Sequence, residues 1–135
     1  MFGVGRRSGA DRGSSPVELA ILAPAVLLAL FASIQVAAVF MARSVALSAA
    51  QEASTAERAF GAPAGAGEDR GRSFLGRAGD WLSGGQVIVE RDGEQVTTTV
   101  TGQAISLIPG FTFTVSQTAR GEVERFTTDD AGAAP

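Results

Sequence analysis

The feature that most constrains this chain is a run of 23 residues, Leu19 to Met41, without a single Asp, Glu, Lys or Arg. Only Pro24, Ser33 and Gln35 interrupt its apolar character. A helix needs about 20 such residues to cross the hydrocarbon core of a bilayer. Twelve of the 23 are Leu, Ile, Phe or Val, and at roughly 0.3–0.6 kcal/mol each they favour insertion by about 4–7 kcal/mol. Glu18, at the very edge of the run, subtracts far less than a charge at the centre would. A cleaved secretory signal is the rival, but its apolar region is normally about 7–15 residues and is followed by a small-x-small cleavage site. A retained single span is therefore expected, covering residues 14–42.

Flanking charge sets the expected orientation. Arg6, Arg7 and Arg12 precede the run, whereas Arg43 alone follows it closely. The excess of basic residues predicts a cytoplasmic amino end, a leader over residues 1–13, and everything from Arg43 onward outside the cytoplasm. This is the topology of a single-pass protein of the cell membrane.

Glu18 has a purely structural reading. Ser15, Pro16 and Glu18 match a capping box, with Ser15 as the N-cap, Pro16 in the first helical position and Glu18 reaching back to a free backbone N–H. Its charge also complements the helix dipole. A functional reading requires the basic leader, Gly13, the spacing and the apolar helix together, and all four are present.

A leader ending in Gly13, then Ser14-Ser15-Pro16-Val17-Glu18 and an apolar helix, resembles the class III signal of type IV pilin-like proteins. More narrowly, "VELAILAPAVLLALF" and the distal "VTGQAISLIPGFTFTVSQTARGEVERF" resemble TadE-like proteins, the small pseudopilins of tight-adherence (Flp-type) pilus assembly. The resemblance implies cleavage between Gly13 and Ser14 by a prepilin peptidase, leaving Glu18 as the fifth residue of the mature chain. It implies pilin-like subunits and pilus assembly proteins as partners, with homo- or hetero-oligomeric association left open. The new amine at Ser14 would lie about one turn from Glu18. Pairing with the Glu18 of a neighbouring copy would neutralise a carboxylate in a low-dielectric setting and set the register between subunits. Ser14 departs from the apolar, N-methylated first residue that pilins often carry.

Within the span, Ala25, Ala29, Ser33 and Ala37 recur every four residues and form a candidate helix-packing face. Pro24 removes a backbone donor and is expected to bend the helix near its start. Beyond Arg43, "SVALSAAQEASTAERAF" stays helical in pattern, and residues 15–60 suffice for one helix of nearly 70 Å at 1.5 Å per residue. Residues 43–60 would be its stalk.

Residues 61–72, "GAPAGAGEDRGR", read as a flexible linker. Phe74, Leu75, Ala78, Trp81 and Leu82 then fall on one face of a short helix ending near Gly84, with Trp81 packing on the sheet that follows. From Gln86 the period changes to two. "QVIVER", an Asp92-Gly93 turn and "EQVTTTVTGQA" predict a hairpin, with Val96, Thr98 and Val100 sharing a face. "SLIPG" makes a second turn, and "FTFTVSQTARGEVERF" a third strand with Phe111, Phe113 and Val115 alternating inward. The expected fold class is α+β: a transmembrane helix extended into a stalk, then, over residues 73–126, a short helix and a three-stranded antiparallel meander. Residues 127–135 read as a disordered tail.

The chain has no Cys and no His, which removes thiol catalysis and the commonest general base and metal ligand. No cofactor and no catalytic role are expected. Without residues 1–13, 8 basic residues face 13 acidic ones, a balance that repels phosphate and argues against nucleic acid as a partner. Two alternatives to a pilin-like role remain: an uncleaved single-span protein whose outer domain binds a ligand or envelope partner, and a membrane-anchored enzyme with an unrecognised site.

Overall fold

The computed structural model describes Gly3 and residues 15–125. Gly13 and Ser14, the rest of the leader, and the tail from Phe126 lie outside the described residues. Five elements follow in order: α1 (Pro16–Arg58), α2 (Ala66–Arg77), β1 (Leu82–Asp92), β2 (Gln95–Ala104) and β3 (Phe113–Glu122). The strands form one antiparallel sheet in the order β1-β2-β3. This is the expected α+β meander.

The chain divides into two compact units between Ile34 and Gln35, inside α1. In the first, every residue from Ser15 to Ile34 is exposed, including Leu19, Ile21, Leu28 and Phe31. Its helix continues through Pro24. Apolar side chains left in this state on all sides of a helix suit lipid as the solvent.

The second unit builds its core from an alanine face. Ala38, Ala42, Ala46, Ala49, Ala50 and Ala53 on α1 are 0–6% exposed. Five of them share a cluster with Leu82, Val87, Val100, Ala104 and Val115 of the sheet. Successive strand residues alternate faces, so Val96, Thr98 and Val100 all turn inward and reach 0% exposure, as their alternation predicts. The opposite face is hydroxylated: Thr99 and Thr118 approach to 3.2 Å, and Thr101 Oγ1 donates to Ser116 Oγ at 3.5 Å.

Several expectations are corrected. Residues 66–72, read as part of a flexible linker, are helical. Glu68 and Asp69 in the first turn of α2 complement its dipole, and its glycines serve packing. A Cβ on Gly67 would stand 2.7 Å from the Ala53 carbonyl oxygen, and one on Gly71 2.9 Å from Val87 Cγ1 and 3.1 Å from Ala53 Cβ. The helix then ends at Arg77 instead of near Gly84. The Ala78 N–H donates to the carbonyls of Phe74 and Leu75, and Gly79 turns the chain at φ +81°, a left-handed conformation typical of a helix terminus. Trp81 consequently sits in a turn at 42% exposure instead of on a helix over the sheet, and Leu82 opens β1 four residues before the expected Gln86. An irregularity in the β1–β2 pairing between Ser83 and Gln86, with Gly84 at φ +60°, absorbs the extra length. Phe111 is off the third strand and 63% exposed, and β3 begins at Phe113.

Candidate assembly site

The helix start carries the sequence features that point to assembly. The Val17 N–H donates to Ser15 Oγ at 3.4 Å and the Leu19 N–H to the Ser15 carbonyl at 3.1 Å, placing Ser15 as the N-cap. Glu18 lies in the first turn and is exposed. Among the described residues its carboxylate has neither a hydrogen bond nor an ion pair. Ser14, its expected neighbour, is outside them, as is Gly13.

Ala25, Ala29 and Ser33 are exposed in the first unit, and Ala37 is exposed in the second. The Ser33 hydroxyl donates to the Ala29 carbonyl at 2.8 Å, satisfying itself within its own helix and leaving no demand for a partner. Gln35 does the reverse. Only 5% exposed, it donates from Nε2 to the Ile105 carbonyl at 3.0 Å and accepts at Oε1 from the Leu107 N–H at 2.8 Å.

The stretch of chain that contains these residues, 13–55, matches the family model described as TadE-like protein. Over this segment the chain is similar to TadE-like proteins. The match opens at Gly13 and takes in Ser14, Glu18, the exposed small residues, Gln35 and the buried alanines as far as Ala53. Comparisons with curated proteins and with solved structures find no match to either. The distal resemblance, from Val100 to Phe126, lies outside the matched residues.

Just past the TadE-like segment stands a buried acid that sequence reading passed over. Glu57, 6% exposed, accepts from the Gly67 N–H at 2.8 Å and pairs with Arg91 at 3.5 Å. Arg91 also donates to the Glu57 carbonyl at 2.7 Å. One side chain thereby ties the end of α1 to the start of α2 and to β1. Burial of a carboxylate is tolerated when it is paired and hydrogen-bonded, so Glu57 acts as a structural clamp. A hollow of about 430 Å³ adjoins it, lined by Phe60, Arg91, Glu124 and Arg125 among others. Its cations are engaged by acids, Arg91 by Glu57 and Arg125 by Glu94. Among the described residues, no three acidic side chains converge on a point that would hold a metal ion.

Proposed function

We propose that this chain is a noncatalytic, pilin-like minor component or assembly factor of a tight-adherence pilus or a related secretion machine. The observation that carries the proposal is the coincidence of a TadE-like segment over residues 13–55 with an apolar helix whose side chains are exposed from Pro16 to Ile34. Among the described residues, one helix is long and apolar enough to cross a membrane, and the family points to an association with the pilus.

In this reading α1 anchors the chain in the cell membrane with its amino end cytoplasmic. A prepilin peptidase cleaves between Gly13 and Ser14, and the amine released at Ser14 pairs with Glu18 of an adjacent pilin-like subunit. That pairing removes the penalty of an unpaired carboxylate at the membrane boundary. Ala25, Ala29, Ser33 and Ala37 admit a neighbouring helix by their small size.

The intact mass of the protein extracted from membranes tests the processing step: the expected chain begins at Ser14, and a chain retaining residues 1–13 refutes it. Glu18→Gln then separates the two roles of the acid. The amide keeps the size of the side chain but loses the charge, so α1, capped by Ser15, persists while pilus biogenesis falls. Unimpaired biogenesis in the Gln variant would overturn the pairing.

A further inference from the structure

The loop between β2 and β3, Ile105 to Thr112, carries four of the seven large apolar side chains exposed among the described residues of the second unit outside α1. Leu107 is 43% exposed, Ile105 and Ile108 39% each, and Phe111 63%. From Gln95 to Ala119 the chain contains no charged residue. Large side chains crowded on an uncharged loop mark a surface that is covered in use.

We infer that this loop is seated in the boundary of the same bilayer that the apolar part of α1 crosses. The inference rests on the membrane-anchored reading given above.

Three observations select lipid as the occupant. The first is length. Leu19 to Ile34, the exposed apolar helix after Glu18, rises about 24 Å at 1.5 Å per residue, short of the roughly 30 Å of a hydrocarbon core. About four more residues are needed, which places Gln35, Val36 and whatever Gln35 holds within the last ~6 Å of hydrocarbon. Gln35 holds the loop, by its bonds to Ile105 and Leu107.

The second observation is that five backbone polar groups of the loop have partners. Irregular backbone is tolerated near hydrocarbon only where its polar groups have partners. Here Gln35 takes the Ile105 carbonyl and the Leu107 N–H. The Ser106 hydroxyl accepts from the Ile108 N–H at 3.3 Å and donates to the Ile108 carbonyl at 3.0 Å. The Phe111 N–H returns to the same carbonyl at 3.2 Å. Pro109 has no N–H to satisfy, and Gly110, at φ +81°, permits the tight reversal.

The third is the position of charge. Arg43 is exposed and is the first charged residue of α1 after Glu18. It stands eight residues past Gln35, about 12 Å along the helix. That level is the headgroup layer, where a guanidinium meets lipid phosphates.

The absence of cysteine allows a direct test on the full chain. Phe111→Cys, Leu107→Cys, Val26→Cys and Asp92→Cys are each labelled with an environment-sensitive fluorophore and reconstituted into phosphatidylcholine–phosphatidylglycerol vesicles containing a spin-labelled lipid quencher. Labels at 111, 107 and 26 are expected to lose most of their emission to the lipid quencher, while the label at 92, the last residue of β1 before its turn into β2, keeps it. If position 26 is quenched but 111 and 107 behave like 92, the loop inference fails and the anchoring stands. If position 26 also escapes, the anchoring fails and the inference with it. If 111 and 107 are shielded from water yet unquenched by lipid, and the shielding fades as protein is diluted in lipid, a second copy covers the loop and the inference is overturned.

Discussion

Alanine at position 67 and alanine at position 76 should change stability in opposite directions, although both replace a glycine in the same helix. At Gly76 nothing lies within 4 Å of an added Cβ. The substitution there relieves the entropic disadvantage of glycine and stabilises by about 0.4–1 kcal/mol. At Gly67 the same methyl would sit 2.7 Å from the Ala53 carbonyl oxygen and 2.9 Å from Glu57 Cβ. Backbone cannot swing aside, so α2 must move away from α1, a strain of about 1–3 kcal/mol. The movement also stretches the bond from the Gly67 N–H to the Glu57 carboxylate, worth about 1.5–3 kcal/mol when intact. Set against the same propensity gain, the strain and a weakened or lost bond leave a net loss of about 1–5 kcal/mol. For a unit of this size, each kcal/mol moves the midpoint by roughly 4–8 °C. Thermal unfolding of the detergent-solubilised full chain, followed by near-ultraviolet circular dichroism, should therefore place Gly67→Ala below the parent and Gly76→Ala at or above it. Equal shifts for the two variants, or a more stable Gly67→Ala, would refute the view that glycine at 67 exists for helix contact.

Other substitutions probe the remaining contacts. Gln35→Leu removes both bonds to the β2–β3 loop, about 1–3 kcal/mol in all, and should speed amide exchange at Leu107 by roughly 5- to 150-fold in hydrogen-exchange mass spectrometry; unchanged protection would mean that the loop is held by other means. Ala46→Leu, at 0% exposure, should destabilise the second unit by about 1–3 kcal/mol, whereas Ala29→Leu, at an exposed position, should leave unfolding unaltered and act only on association, read by crosslinking in membranes. A double-mutant cycle of Glu57→Gln and Arg91→Met should show a coupling of about 0.5–1 kcal/mol, modest because Arg91 is 43% exposed; zero coupling would reduce the ion pair to a neutral hydrogen-bond clamp.

The long helix, the hairpin about Asp92-Gly93 and the inward set Val96, Thr98 and Val100 were legible because each follows from local periodicity and turn chemistry. The buried alanine face was visible in principle and missed. A strict four-residue spacing such as 25, 29, 33, 37 drifts about 40° around a helix at every step. The mixed spacing 38, 42, 46, 49, 53 stays on one side. Small residues at both spacings look alike when only composition is weighed, and the second pattern is the one the sheet covers. The 61–72 segment misled for a related reason. Glycine in a helix reads as a breaker when its cost in propensity is counted alone, and Gly67 and Gly71 offset that cost by letting two helices touch. Glu57 was illegible, since its partners lie 10 and 34 residues away and no local pattern announces them. Of the candidate assembly residues, the helix cap at Ser15 was readable from Ser-Pro-x-Glu, whereas the loop grip of Gln35 required a partner 70 residues downstream.

The methyl groups of the α1 face form a smooth rail. Nothing in their shape distinguishes one helical turn from the next, so by packing alone the sheet could ride along it in steps of about 5.4 Å. What sets its station are two polar clasps, Gln35 at one end and Glu57 at the other, about 33 Å apart along the rise of α1 and within roughly 40° of the same side. Because both must close at once, a displacement by one turn strands an amide and a carboxylate together. The helix thus works as a ruler with its graduations at the ends, and it fixes how far along the chain the folded unit begins.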